Sequence, residues 1–272
     1  MTNENISRIA ELTQLNKVNL PPYLYHYTNE VNVNKIIRDD YIWIKLTHIK
    51  DFKDKLEGRI ISQYYNSAID ELVRDDTIST GDASTLRGLF HYKKPLFIER
   101  HLLDDGKELQ RALFCERDVY VFCLSADGDS NYMKKKYTKG ESKNGACIEF
   151  SGTRLNSIFR KNDDQSRYDF FKIIYGNDIK TYLTYFLERI IECTGGVDTE
   201  DFKKFAPEII NRELTKLEIS TKEEKYRQEN EIRFVFSKPI DSDYFPKCII
   251  NKGEFVIMDK RVLCGKTVFY RY

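Results

Sequence analysis

Val119-Tyr120-Val121-Phe122-Cys123-Leu124-Ser125 is the stretch on which the fold turns. Its odd and even positions are both apolar until the last residue, so neither face of an extended segment here suits water. Such a strand belongs in the middle of a sheet, covered on both sides. Working outward, Leu24 to Thr28 reads as a second strand, with His26 and Thr28 on one face and Tyr25 and Tyr27 on the other. Pro21-Pro22 stops any helix before it. Tyr41 to Leu46, Ala146 to Phe150, Glu231 to Phe236, Cys248 to Ile250, Phe255 to Met258 and Thr267 to Tyr270 read as further strands. In the fifth of these eight, Ile232, Phe234 and Phe236 face one way and Glu231, Arg233 and Val235 the other.

Helical spacing fills the gaps. Ile6 to Leu15 and the stretch around Val33, Ile36 and Ile37 predict short helices. From Leu56, the residues Ile60, Ile61, Tyr64, Tyr65, Ala68, Ile69, Leu72 and Val73 form one stripe. Thr80 to Asp82 reads as a loop around Gly81, followed by a helical stretch, broken by Pro95, to about Cys115. Tyr182 to Cys193 and Phe202 to Leu217 are amphipathic and are joined at Gly195-Gly196. Regular alternation of strand and helix is missing, so the expected class is α+β with a mainly antiparallel sheet. The expected organisation is one domain over residues 1–272, with a helical insertion at about 53–116 and a second helical segment at about 178–219.

Composition narrows the classes. Forty-four basic and 43 acidic residues leave a net charge of +1, so no global field draws in nucleic acid. Apolar residues make up 41% of the chain, and no run approaches the roughly 20 a membrane helix needs. The opening Met1 to Asn16 carries Glu4 and Glu11 and does not read as a signal peptide, so a cytoplasmic location and no membrane partner are expected. The six cysteines are dispersed without a C-x-x-C pair, which predicts buried reduced thiols and no metal site. Phosphate-binding, dinucleotide-binding, zincin and nucleophile-elbow motifs are absent.

Three segments carry candidate chemistry. Tyr25-His26-Tyr27-Thr28 offers an imidazole for a sugar hydroxyl and flat rings beside it; a satisfied core histidine is the plainer reading. Glu229-Asn230-Glu231 puts two carboxylates on one face of an extended segment, where like charges need water or a cation. That cation is either a positively charged transition state or simply Arg227 or Arg233 at a solvated edge. Ser125 ends the buried strand, and Tyr132, Lys134, Lys135, Lys136 and Tyr137 follow it. Tyrosines stack on planar rings and lysines meet phosphates, although a lysine run is more often a solvated face.

The order of these pieces resembles a bacterial family known as domain of unknown function number 2971. The resemblance rests on L-Y-H-Y-T-N at Leu24 to Asn29, Y-I-W-I at Tyr41 to Ile44 and F-K-D-K-L-E at Phe52 to Glu57. It continues with F-C-L-S at Phe122 to Ser125, M-K-K-K-Y at Met133 to Tyr137, G-A-C-I-E-F at Gly145 to Phe150 and Y-R-Q-E-N-E-I-R at Tyr226 to Arg233. Lys134 and Tyr226 stand where that family usually carries Trp, and Lys53 and Lys55 where it has Asn and Pro.

The same order resembles the ADP-ribosyltransferases of bacterial toxins, which implies a split-sheet fold and NAD as substrate. By that resemblance His26, Tyr27 and Thr28 would line the NAD site, and Ser125 or Tyr137 would pack against the nicotinamide or orient a glutamate. Glu231 would stabilise the cationic ribose and Glu229 would orient or deprotonate the acceptor. The acceptor would be protein, RNA or DNA, with Tyr132, Lys134, Lys135 and Lys136 leaning towards single-stranded nucleic acid. A toxin–antitoxin or phage-defence role would bring an antitoxin or other neutralising protein as partner. The competing expectations are an inactive module that binds NAD, ADP-ribose or another protein, an NAD glycohydrolase, and a magnesium nuclease built on Glu229, Glu231 and Asp54.

Overall fold

The structure is a computed structural model. It describes residues 19–38, 40–49, 57–90, 96–102, 108–138, 144–160, 167–239, 249–250, 255–259, 263–264 and 267–271. The helix expected at Ile6 to Leu15 lies outside them, as do Asp54 and Cys248. The first elements are β1 (Tyr23–Asn29), α1 (Glu30–Ile36), β2 (Ile37–Arg38), β3 (Tyr41–Lys45) and β4 (Thr47–His48). Next come α2 (Glu57–Arg74), α3 (Thr80–Gly88), β5 (Leu96–Leu102), β6 (Glu108–Ser125), α4 (Asn131–Tyr137) and β7 (Asn144–Ser151). They are followed by α5 (Gly152–Arg160), β8 (Arg167–Lys172), β9 (Ile174–Tyr175), α6 (Asn177–Thr194), α7 (Glu200–Ser220) and β10 (Thr221–Lys222). A 3-10 turn (Glu224–Glu229) leads to β11 (Glu231–Pro239), β12 (Ile249–Ile250), β13 (Phe255–Asp259) and β14 (Val268–Arg271). Helices and mainly antiparallel strands thus make an α+β protein, with β9 and β10 a parallel pair. Among the described residues no helix is long and apolar enough to cross a membrane.

The chain divides into two compact units, one of Met1–Asn16, Asp54–Arg117 and Ile174–Glu224, the other of Lys17–Lys53, Asp118–Ile173 and Lys225–Tyr272. The first is mainly helical. Its core joins Ile61, Tyr65, Ala68, Ile69 and Leu72 of α2 to Leu183, Phe186, Leu187 and Ile190 of α6 and Phe202, Ala206, Ile210 and Leu217 of α7. These are positions that recur every three or four residues, so each helix buries one stripe. Gly195, at φ 79°, caps α6 in the left-handed region that a side chain disfavours.

Two expectations fail in this unit. Thr80 to Asp82 is the first turn of α3: the Ser79 hydroxyl accepts from the Asp82 N–H at 3.1 Å, and the Asp82 carboxylate accepts from the Ser79 N–H at 3.0 Å. This reciprocal cap satisfies two helix-end donors and outweighs the cost of Gly81 inside the turn. The stretch after Pro95 is strand rather than helix, with β5 antiparallel to the first half of β6 from Leu96↔Glu116 to Leu102↔Glu108. Antiparallel pairing with the neighbouring β5 has overridden the local helical preference of Glu108 to Leu113.

The second unit contains two sheets. The larger runs β14-β7-β1-β6-β11-β8, with β4 also paired to β6, and the smaller runs β12-β13-β3-β2. Leu24, Phe122, Leu124, Ile148, Phe150, Ile232, Phe234 and Phe236 of the larger sheet share a core with Ile42 and Ile44 of β3. The two sheets therefore bury a common apolar layer. On the other face of the larger sheet, Tyr27 and Cys147 meet Met133 of α4. β6 is central, as its apolar run implies, but Cys123 is exposed although Phe122 and Leu124 are buried. Cys264 is exposed too, while Cys147 and Cys193 are buried, so the expectation of uniformly buried thiols holds for only two of these four. Alternation puts the Cys123 side chain on the α4 face, and this face is not covered there.

Candidate functional site

Three neighbouring strands bring the candidate segments together. Tyr25 of β1 is paired with Ser125 at the end of β6, and the Ala126 N–H donates to the Asn230 carbonyl beside the start of β11, at 2.9 Å. The site is thus built at one end of β6, in a unit that holds all of its residues.

The carboxylates do not share one extended segment. Glu229 ends the 3-10 turn, Asn230 adopts φ 42°, and Glu231 opens β11. Asparagine is among the residues that tolerate this left-handed conformation best. Nor is this a solvated edge, for Glu229 is 2% and Glu231 4% exposed. Each has its own cation. Lys136 Nζ reaches Glu229 Oε1 at 2.6 Å, and Arg233 Nε reaches Glu231 Oε1 at 2.6 Å. The two cations differ: Arg233 is sealed in at 1% exposure, whereas the Lys136 side chain is 39% exposed. Charge pairing of this kind is what makes two buried carboxylates tolerable.

The loop from Ser125 to Ser130 supports them. The Ser125 hydroxyl donates to the Glu229 carbonyl at 2.9 Å and accepts from the Asp127 N–H at 3.1 Å. The Tyr27 hydroxyl donates to the Asp127 carbonyl at 2.8 Å and accepts from the Ser130 N–H at 3.0 Å. Burial raises the Tyr27 hydroxyl far above the usual phenol range, so it stays protonated. A Cβ at Gly128 would fall 2.5 Å from the Tyr25 ring, so a larger residue here displaces that ring. Tyr137 is raised by burial; Lys136 lowers it, and Cys123, Glu229 and Glu231 raise it further by charge. All four therefore lie within electrostatic reach of its hydroxyl.

His26 is elsewhere. Alternation sends it and Thr28 to the face between the sheets, where the imidazole lies 4.9 Å from the Phe122 ring. Its Nδ1–H donates to the Cys123 carbonyl at 3.4 Å, which leaves Nε2 an acceptor rather than a donor to a sugar. Burial lowers the ring to about 4, so it is neutral at physiological pH. Thr28 is buried and accepts from the Asn32 amide at 3.4 Å, a local contact.

The lysine run is likewise divided. Lys134 is tied to Asp129 and Lys136 to Glu229, while Lys135 is exposed. Tyr132 packs beside Met133 and stays half-buried. Two partners were not foreseen. Tyr226 has Lys225 Nζ at 4.9 Å and Lys136 Nζ at 5.9 Å from its ring, and Lys136, which the sequence groups with phosphate-facing lysines, pairs with Glu229 instead. The signal for Lys136 was the need of any buried carboxylate pair for cations, but its position 93 residues away left the choice open.

Among the described residues no group of three histidines, cysteines or carboxylates could hold a metal ion. The chain matches no family model, no curated protein and no solved structure.

Proposed function

We propose that this chain is an NAD-dependent ADP-ribosyltransferase that modifies a macromolecule. The observation that carries the reading is the pair of buried, individually neutralised carboxylates, Glu229 and Glu231, at the end of β6 between β1 and β11 and within electrostatic reach of Tyr137. When the glycosidic bond of NAD breaks, the nicotinamide leaves with the bonding electrons and the ribose becomes cationic. A carboxylate already held in place beside that centre favours the transition state over the ground state. Glu231, clamped by a sealed arginine, suits this task. Glu229, held by a lysine that solvent reaches, suits the proton that the acceptor gives up as it attacks the ribose.

The remaining roles follow from the faces of the sheet. Ser125 spends its hydroxyl on the Glu229 backbone, so Tyr137 is the group left to pack against nicotinamide. β1 presents Tyr25 and Tyr27 on the side of α4, and the half-buried Tyr25 is the one a ligand reaches. His26 then acts through the sheet rather than by contact. A second reading is favoured by the same ion pairs: charges balanced within the chain suit a module that binds NAD or ADP-ribose without turnover.

The test uses NAD labelled on its adenylate half, a bacterial lysate, and wild-type and Glu231→Gln protein, with circular dichroism to confirm that both fold. Label joined to a macromolecule by wild type, and reduced on the order of 10²–10³ in the variant, is the expected result. Separate digestion with protease, RNase and DNase names the acceptor. Free ADP-ribose formed in buffer alone identifies a glycohydrolase instead. NAD intact with both proteins refutes the transferase and leaves the binding module.

A further inference from the structure

We infer that the acceptor is a single-stranded nucleic acid, held on a basic and aromatic rim formed by α4 and the 3-10 turn beside Glu229; as a substrate assignment this rests on the transferase reading. The two elements meet at Lys136, whose Nζ is 5.9 Å from the ring centroids of both Tyr137 and Tyr226 while it pairs with Glu229. Lys225 Nζ lies 4.9 Å from the centroid of the same Tyr226 ring. Lys135, Lys136, Lys225 and Arg227 are exposed, and Tyr132, Tyr137 and Tyr226 are half-buried among them. Exposed acidic groups on the adjoining backbone are Asp127, Asp129, which is tied to Lys134, and Glu224.

The chain as a whole is nearly neutral, so a partner drawn by charge must read a local feature. Lys135, Lys225 and Arg227, with the Tyr132 and Tyr226 rings among them, fit a ligand that repeats both a phosphate and a planar base. An acidic peptide has the charge but no rings to stack, and a duplex hides its base faces. The rim also borders Glu229, which places a bound strand next to the group that would take the acceptor proton. The lysine run alone does not make this surface. Lys134 is tied to Asp129 and Lys136 to Glu229, and the turn adds the exposed Lys225 and Arg227 and the half-buried Tyr226.

The experiment is fluorescence anisotropy with full-length protein and no NAD. The probes are fluorescein-labelled 20-nucleotide oligouridylate and oligodeoxythymidylate, a mixed-sequence DNA duplex and poly-glutamate, at several salt concentrations. Single strands should bind best, with an affinity that falls with salt at a slope of roughly −0.7 per phosphate contacted. Tyr226→Ala should weaken binding on the order of tenfold, with Tyr226→Phe restoring it. The triple change Lys135→Ala, Lys225→Ala and Arg227→Ala should flatten the slope, and Lys134→Ala should do neither. No binding of single strands at 50 mM salt, equal binding of poly-glutamate or duplex, or indifference to Tyr226→Ala overturns the rim. Because NAD is absent, a rim that binds RNA in a protein without transferase activity separates the two readings. Transfer to a protein acceptor without strand binding separates them in the opposite sense.

Discussion

Each unit buries a glutamate with a lysine, and the two are not alike. Glu213, in the helical unit, is fully buried; it accepts from the Tyr182 hydroxyl at 2.5 Å and pairs with Lys216 at 3.1 Å, one turn along α7. Glu229, in the sheet unit, is paired with Lys136 from a separate helix, is two residues from a second buried carboxylate, and has its carbonyl held by the hydroxyl of Ser125, 104 positions earlier. The first arrangement is closed by its own helix pair and presents only 14% of its lysine to solvent, against 39% for Lys136. Burial of a charge is therefore no mark of a site. What distinguishes Glu229 is a cation from a remote segment that stays accessible to solvent, with a second buried carboxylate two residues away.

That contrast breaks most severely at Glu231. Glu231→Ala leaves the Arg233 guanidinium buried without its carboxylate, so a loss of about 3–5 kcal/mol in urea unfolding is expected, along with any NAD turnover. Glu213→Ala should cost roughly 2–3 kcal/mol, because Lys216 can turn to water, and should leave NAD turnover per folded molecule unchanged. Equal loss of turnover from both would erase the distinction between them.

Lys136→Met sharpens the comparison. Its partial exposure limits the stability change to about 1 kcal/mol or less, while turnover should fall on the order of tenfold and return with Lys136→Arg. A large fall in melting temperature with normal turnover would make Lys136 a structural counterpart of Lys216.

The smallest effects concern pH, and they have opposite signs in the two units. His26 is lowered to about 4 by burial, so its contribution is complete above its ordinary value of 6.5 and is lost as pH falls from 6.5 towards 4. Glu218 is raised to about 7 by burial, so its contribution is complete below 4.5 and is lost as pH rises from 4.5 towards 7. Glu218→Gln should then stabilise the protein at pH 7.5 by roughly 1 kcal/mol and have no effect at pH 4. His26→Gln should flatten the loss below pH 6.5. Chemical denaturation across this range, read on each variant, checks both signs.

Much of the fold was legible because its signals are local. The stripe from Ile60 to Val73, the alternation from Glu231 to Phe236 and the doubly apolar run at Val119 each record a period that one element imposes on its own sequence. The helical reading after Pro95 failed because strand pairing decided it. Leu96 to Leu102 is a strand because it pairs with β6, whose residues up to Glu116 close the hairpin. Thr80 to Asp82 is an exception, since the Ser79–Asp82 cap is itself local and its spacing was readable.

For the site, the sequence by itself settled which residue types were present, that Ser125 ends one strand and Glu231 opens another, and that Tyr25 and Tyr27 lie opposite His26 and Thr28. Only the tertiary structure decided which face of the sheet carries the carboxylates, and it put them with the tyrosines rather than with His26. It also chose Lys136 and Arg233 as their cations, and left the first in reach of solvent and the second sealed. The reason is physical. Side-chain direction follows from a two-residue repeat in one strand, whereas burial and charge pairing are set by whatever segment the folded chain lays against that strand.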